Sequence, residues 1–311
     1  MTAALPLFGH AEAERVFAEA AGSGRMHHAW LIEGPSGIGK ARFALRAAAW
    51  LLGARGPKAA PFDAAAANPV MSRVLSGGHP DLRLLTREMN DKGKLKQDIS
   101  VDQIRSFNEF FSFKPAMGGW RIGIVDALDE MNRASANAIL KTLEEPPPAA
   151  ALFLINHGTR PVLPTIRSRC RSLRLSPLSA TNMEAALKLA GHEGDIPESS
   201  GGRPGLVIER ATESCQLARN AARALLKSMP RPNDALVTRA IQTGGADLAA
   251  FEALRDEALN WIAMRAEEVP GMARDWLGLA RLASDTEELN MDPEQAAAKL
   301  VSALYAAAAR G

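Results

Sequence analysis

The stretch Gly34-Pro35-Ser36-Gly37-Ile38-Gly39-Lys40-Ala41 sets three glycines and a lysine between a short apolar run and a helical pattern. That order suits a phosphate-binding loop. Glycines let backbone N–H groups converge on phosphate oxygens, the helix N-terminus adds a positive dipole, and Lys40 reaches the β- and γ-phosphates. The next position departs from the pattern: a loop that handles Mg²⁺ carries Ser or Thr there for its hydroxyl, and Ala41 has none. Asp126 closes the apolar run Ile122-Gly123-Ile124-Val125 and stands where a second Mg²⁺-handling carboxylate belongs. In an ATPase of this kind a glutamate follows and polarises the attacking water; here the residue is Ala127. Asp129 and Glu130 lie two or three residues further on and are expected to be exposed acids at a helix start. Gly34, Gly37, Gly39, Lys40 and Asp126 are therefore the candidate nucleotide-binding residues, in a pocket expected to have lost turnover while ATP binding stays open.

A second cluster, Thr165-Ile166-Arg167-Ser168-Arg169-Cys170-Arg171, is densely basic. One reading is a solvated or DNA-facing patch. The other is an arginine finger lent to a neighbouring subunit's ATP, which needs a planar, permanently charged donor held rigidly at a helix start. Spacing alone does not separate the two.

These residues need a scaffold that brings strand ends together. Short apolar runs at 29–32, 82–85, 122–125 and 152–155 alternate with helical patterns, among them Phe43, Ala47, Trp50 and Leu51, which is the signature of α/β units on a parallel sheet. Residues 53–68, with two prolines and a run of alanines, read as a loop or loose insertion. Beyond Pro177 strand signals stop. Phe251, Leu254, Ala258, Trp261 and Ile262 recur with helical period, and residues 296–309 form a last alanine-rich pattern, so the second half is expected to be all-α.

The 311 residues are enough for about two domains, and 47% hydrophobic with 23% charged residues is ordinary for a globular chain. Residues 1–175 carry 23 Lys and Arg against 16 Asp and Glu, whereas residues 176–311 carry 14 against 19. The first half is thus +7 and the second −5, a division of labour rather than one basic surface for nucleic acid. The longest uncharged helical candidate, at 47–54, is far short of the ~20 residues that span a bilayer. No basic segment followed by an apolar one opens the chain, and a cytoplasmic location is expected. The two cysteines, Cys170 and Cys215, cannot form a four-thiolate zinc site. Cys170 reads as a small buried packing residue and Cys215 has no evident partner.

The ordered set Leu7-Phe8-Gly9-His10, Arg25-Met26-His27-His28-Ala29, the loop at 34–40, Gly78-His79-Pro80-Asp81, Ile99-Ser100-Val101-Asp102-Gln103-Ile104-Arg105, the block 132–147 and Ser168-Arg169-Cys170 resembles the delta-prime family of bacterial DNA polymerase III. These are clamp-loader proteins of the AAA+ superfamily. The resemblance covers nearly all of residues 5–175, and the helical half matches in character alone.

The resemblance implies an N-terminal α/β AAA+ P-loop module (1–175), a small helical lid (176–212) and an all-helical C-terminal collar domain (213–311). By analogy Ser168-Arg169-Cys170 is the motif whose arginine reaches the adjacent subunit's ATP site, which gives the finger role to Arg169. Relatives often carry a four-cysteine zinc module between the loop helix and the His-Pro-Asp segment; residues 52–78 contain no cysteine, so no zinc is expected. The lid arginine of active subunits aligns with Pro204, beside Arg203. Asn156 falls where active members place a polar sensor, and His157 reads as an ordinary loop histidine. The implied function is that of a non-motor loader subunit. It would assemble with gamma/tau and delta subunits in a pentameric ring and act through it on the sliding clamp and primer-template DNA, without a membrane. A catalytically active gamma/tau-like ATPase is the alternative. An unrelated P-loop regulator or a stand-alone DNA-binding protein is disfavoured by the 132–147 block and the near-neutral charge.

Overall fold

The computed structural model describes residues 5–24, 26–58, 60–90, 95–96, 98–192, 196, 200–266, 276–280 and 291–308. The four expected strands form and a fifth joins them: β1 (Ala29–Glu33), β2 (Leu82–Leu85), β3 (Arg121–Asp126), β4 (Ala150–Asn156) and β5 (Arg171–Arg174). Their order is β2-β3-β4-β1-β5 and every pairing is parallel. Burial follows position. Every residue of the central strand β4 is buried, as both faces of a parallel sheet require. The edge strand β5 buries Leu173 alone, and its Arg-Ser-Leu-Arg sequence gave no apolar run to read.

Helices α1 (Ala11–Gly22), α2 (Lys40–Leu51), α3 (Pro69–Leu75), α4 (Val101–Phe110), α5 (Arg133–Ala138), α6 (Leu140–Glu144) and the one-turn α7 (Pro164–Arg167) surround the sheet, followed by α8 (Ala180–Leu189). One face packs around Phe17 of α1. Its ring centroid lies 4.9 Å from Trp30, 5.5 Å from Phe153 and 5.9 Å from Phe62, with Phe43 and Trp50 at 6.3 Å. The other face packs Ile104, Phe107 and Phe111 against Val125, Leu152 and Leu154. Gly123 of β3 makes room there, since a Cβ would meet Phe107 Cζ at 2.3 Å.

The 53–68 segment is a loop, yet not a loose one. Phe62 is buried in the aromatic cluster, and the buried Arg46 of α2 bonds both Asp63 at 2.5 Å and Glu14 of α1 at 2.8 Å. A buried guanidinium must be paired, so this bridge ties the loop to two helices.

Polar residues that carry the family resemblance turn out to fix this scaffold. Asp81 accepts from the N–H groups of Ala116 and Met117 at 2.6 and 2.9 Å. Ser100 and Gln103 form a reciprocal capping box at the start of α4. Asn132 caps α5 through Ser135 N–H, and the Ser135 hydroxyl donates to Ile99 O.

By compactness the chain divides into residues 1–205 and 206–311. The expected lid segment supplies α8 and the turn through Gly205 to the first unit. The second is helical, with the end of α9 (Pro204–Arg210), α10 (Glu213–Lys227), α11 (Asp234–Gly244), α12 (Leu248–Ala266) and α13 (Pro293–Ala308). Phe251, Leu254, Ala258 and Ile262 of α12 are fully buried against Ala222, Leu225, Leu300 and Leu304. Cys215 is buried among Ala218, Ala250 and Ala253, a packing role. No helix of the described residues is long and apolar enough to cross a membrane.

Phe17→Ala is expected to cost about 3–5 kcal/mol, because it empties the centre of the aromatic cluster. Phe113→Ala, at an exposed ring, is expected to stay within about 0.5 kcal/mol. Urea unfolding of the two variants checks the contrast.

Candidate nucleotide site and arginine pair

The loop between β1 and α2 adopts the conformation its glycines allow. Gly34, Gly37 and Gly39 have φ of 144°, 80° and 102°, all in the region side chains avoid. At Gly34 space forbids a side chain as well, since a Cβ would stand 2.5 Å from Leu175 O. The N-terminal segment braces the loop from outside. His10 is buried with its pKa lowered, burial outweighing its bond to Ile38, and Nε2 therefore carries the proton it donates to Ile38 O at 2.8 Å. At the loop's tip Gly205 N–H donates to Gly37 O at 2.8 Å, and a Cβ on Gly205 would lie 2.7 Å from Gly37 Cα.

Lys40, the first residue of α2, is 3% exposed and folds back on the loop. Its ammonium donates to Gly34 O and Pro35 O, each at 2.7 Å. Burial pushes its pKa down to about 8, with Asp129 and Asp126 holding it up in part. At neutral pH the group stays charged, neutralised by carbonyl dipoles and two nearby acids.

The acids sit at the strand ends. Asp126 ends β3, and Oδ1 is 3.3 Å from His157 Nε2. The loop histidine of the sequence reading thus faces the carboxylate meant for a metal. Asp129 corrects the expectation of an exposed acid. It lies in a 3₁₀ turn (Leu128–Glu130) at 7% exposure and accepts from His157 N–H at 3.1 Å, Thr159 N–H at 2.9 Å and the Thr159 hydroxyl at 2.7 Å. Burial alone would raise its pKa, but these bonds more than offset that and hold it below the ordinary value. Glu130 is half-buried and bonded to Arg87 at 2.9 Å, its pKa raised by burial against that pairing. Asp129 is therefore occupied in holding the 157–159 backbone, and Glu130 in pairing with Arg87.

Asn156 ends β4 opposite Glu33 of β1, which brings it to the same edge as the loop, and its Oδ1 accepts from Gly158 N–H at 3.1 Å. Arg203 Nε donates to Ser200 O at 3.0 Å. A Mg²⁺ ion does not fit the donor set, for Ala41 and Ala127 offer no side-chain oxygen and Asp126 is in contact with His157. Among the described residues no group of three or more His, Cys, Asp or Glu could hold a metal ion. The loop conformation, in contrast, suits phosphate oxygens.

Arg167 and Arg169 differ sharply. Arg167 ends α7 and forms a fork with Glu33, Nη1 to Oε2 at 3.1 Å and Nη2 to Oε1 at 2.7 Å. This bonding raises its pKa. Arg169 stands just past the end of α7 rather than at a helix start. Nη1 donates to Thr165 O at 2.9 Å, and Nη2 pairs with Glu144 Oε1 of α6 at 2.8 Å. The helix stops at Arg167 with Ser168 as its C-cap, and Arg169 N–H donates to Ile166 O in the turn that follows. Cys170 is half-buried rather than buried and packs on the sheet core; burial pushes its thiol up to about 12, against the pull of Arg167.

Residues 9–179, which include both the loop and Arg169, match the model of the family described as DNA polymerase III, delta subunit, and the chain belongs to that family. Over 157 residues it is 36% identical to the DNA polymerase III subunit delta' of Pseudomonas aeruginosa, covering 50% of this chain and 45% of that protein. The delta' subunit of Bacillus subtilis is 32% identical over 168 residues, 52% of this chain and 46% of that one. A DNA polymerase III subunit gamma from Buchnera aphidicola is 29% identical over 165 residues, 53% and 42% of the respective chains. The matched stretch spans a little under half the length of these relatives. Among solved structures, a DNA polymerase III gamma subunit-related protein from Thermotoga maritima superposes with a TM-score of 0.52 at 15% identity, covering 94% of this chain and 98% of that one. The fold is therefore the expected α/β module on a parallel sheet followed by helical parts.

Asp129 makes a pH prediction with a definite sign. Its lowered folded pKa contributes stability that is fully present above the unfolded value near 3.8 and is lost as pH falls through the folded value. Asp129→Asn is expected to be less stable than wild type by about 1–3 kcal/mol at pH 7, with the gap closing below about pH 4. Urea midpoints of both proteins from pH 7 to pH 3 check it.

Proposed function

We propose that this chain is a non-motor, delta-prime-type subunit of a DNA polymerase III clamp loader. It assembles with gamma/tau- and delta-type subunits in a pentameric ring and lends Arg169 to the ATP site of a neighbour. The complex, not this chain, then places the sliding clamp on primed DNA. One observation carries the reading: a phosphate loop complete in its backbone but without the Mg²⁺ hydroxyl and the water-polarising acid shares a chain with Arg169, part-exposed just past α7 and held there by Thr165 O and Glu144. Arg167 is engaged in a two-bond fork with Glu33, whereas Arg169 meets its carboxylate, Glu144, through one contact, which supports Arg169 as the arginine that acts in trans. The +7 half is then the one to face DNA or adjoining AAA+ modules, and the −5 half the one to pack in the collar.

The nucleotide site of this chain is inert in this reading, since Lys40 is bonded to Gly34 and Pro35 and neither alanine can take over a catalytic oxygen's work. A gamma/tau-like motor is the rival, favoured by the 29% identity to a gamma subunit.

Two measurements test the proposal. Calorimetry and phosphate release on the isolated chain, with and without Mg²⁺, are expected to show no turnover; Mg²⁺-dependent hydrolysis would move the chain to the motor class. Arg169→Ala is expected to leave folding and assembly intact while lowering ATP turnover of a reconstituted loader about two-fold or more. At the single site it serves, the loss of a finger is worth about 10³–10⁵. Normal hydrolysis and clamp loading by that complex would refute the finger.

A further inference from the structure

The two arginines of the α7 region are held by carboxylates of different character. Glu33, the partner of Arg167, is 20% exposed and engaged through both oxygens. Glu144, the partner of Arg169, is 49% exposed and engaged through one. A two-bond fork on a shielded acid fixes a guanidinium plane, whereas a single contact in solvent contributes little and exchanges readily.

We propose that Glu144 is a releasable seat for Arg169. It holds the guanidinium on this chain until a nucleoside triphosphate on a neighbouring subunit takes its place. This rests on the finger reading above and adds to it the residue that regulates the finger. The geometry allows exchange without refolding. Nη1 remains on Thr165 O, 2.9 Å away, and only the Nη2 edge changes partner from Glu144 Oε1 to a phosphate oxygen. Charge favours the exchange, because a triphosphate carries more negative charge and more acceptor oxygens than one carboxylate. The Arg167 fork keeps α7 on the end of β1 meanwhile, so the base that carries Thr165 and Arg169 stays fixed during the exchange. Glu144 is then a positioning residue; it touches neither nucleotide nor water in the reaction.

The test uses the reconstituted loader with Glu144→Gln in this subunit, read as the ATP dependence of steady-state hydrolysis. The amide keeps the shape of the seat and removes its charge. The ATP concentration for half-maximal turnover is expected to fall about two- to five-fold, the range a half-exposed ion pair supports, with maximal turnover unchanged. Glu145→Gln removes the same charge one residue on and is expected to move neither quantity. The double variant Glu144→Gln with Arg169→Ala is expected to match Arg169→Ala alone. A fall in maximal turnover for Glu144→Gln would make Glu144 a strut rather than a seat, and an equal shift from Glu145→Gln would make the effect one of bulk charge; either overturns the proposal. If Arg169→Ala depresses turnover while Glu144→Gln changes nothing, the seat is wrong and the finger stands. If Arg169→Ala is without effect, both fall together.

Discussion

A parallel sheet covered on both faces has no room for a charged side chain in mid-strand, so the inner strands β1, β3 and β4 stay apolar until they leave the sheet. Here β1 ends in Glu33, β3 in Asp126 and β4 in Asn156, and the register sets Glu33 beside Asn156 and Asp126 beside Ile155. The polar residues therefore gather at one edge because the sheet expels them there together. The phosphate loop, the 3₁₀ turn with Asp129, the 157–159 loop and the fork on Glu33 are all attached to that edge. Chemistry at this site depends on strand register before it depends on any single side chain.

What the edge collects it must also pair, since a buried polar group without a partner is costly. The chain meets most of that need from within, Asp126 Oδ1 and His157 Nδ1 being buried without a hydrogen bond. Lys40 takes two carbonyls of its own loop, Asp129 takes three donors from the loop after β4, and Gly37 O takes Gly205 N–H. A hydrolytic site leaves comparable groups for Mg²⁺ and phosphate. Pairing inside the chain favours a fixed conformation over turnover, and the absence of oxygens at Ala41 and Ala127 acts in the same direction.

Much of this edge was legible in the sequence because it is written in strong local signals. Four apolar runs marked β1 to β4, and three glycines with a lysine marked the loop. Three features were not legible, each for a physical reason. The edge strand β5 buries one side chain, so its charged residues carry no periodic signal. The burial of Asp129 depends on a loop thirty residues away, and no local pattern reports such a partner. The 53–68 segment has the composition of a loop and is one, but Arg46 and Phe62 anchor it through contacts that composition does not encode. Local signals gave the elements; the pairings between elements had to come from the fold. For the arginines the same limit held, since spacing does not report that Arg167 meets both oxygens of Glu33 while Arg169 meets Thr165 O and one oxygen of Glu144.

The survival of the loop's glycines does not require nucleotide, and that decides how the motif should be weighed. Gly34 is pressed against Leu175 O at the end of β5, Ile38 O receives His10 from the N-terminal segment, and Gly37 is in close contact with Gly205. The loop is the point where three distant segments of the first unit cross. A side chain at Gly34 or Gly205 would displace backbone, whatever the pocket holds. Packing thus demands the glycine at position 34 and positive φ favours those at 37 and 39, while nothing in packing demands a hydroxyl at position 41 or an acid at position 127. In this chain both are alanine, and Ala127 is 1% exposed with its carbonyl accepting from Glu130 N–H, so the position is packed closed rather than left open for an acid.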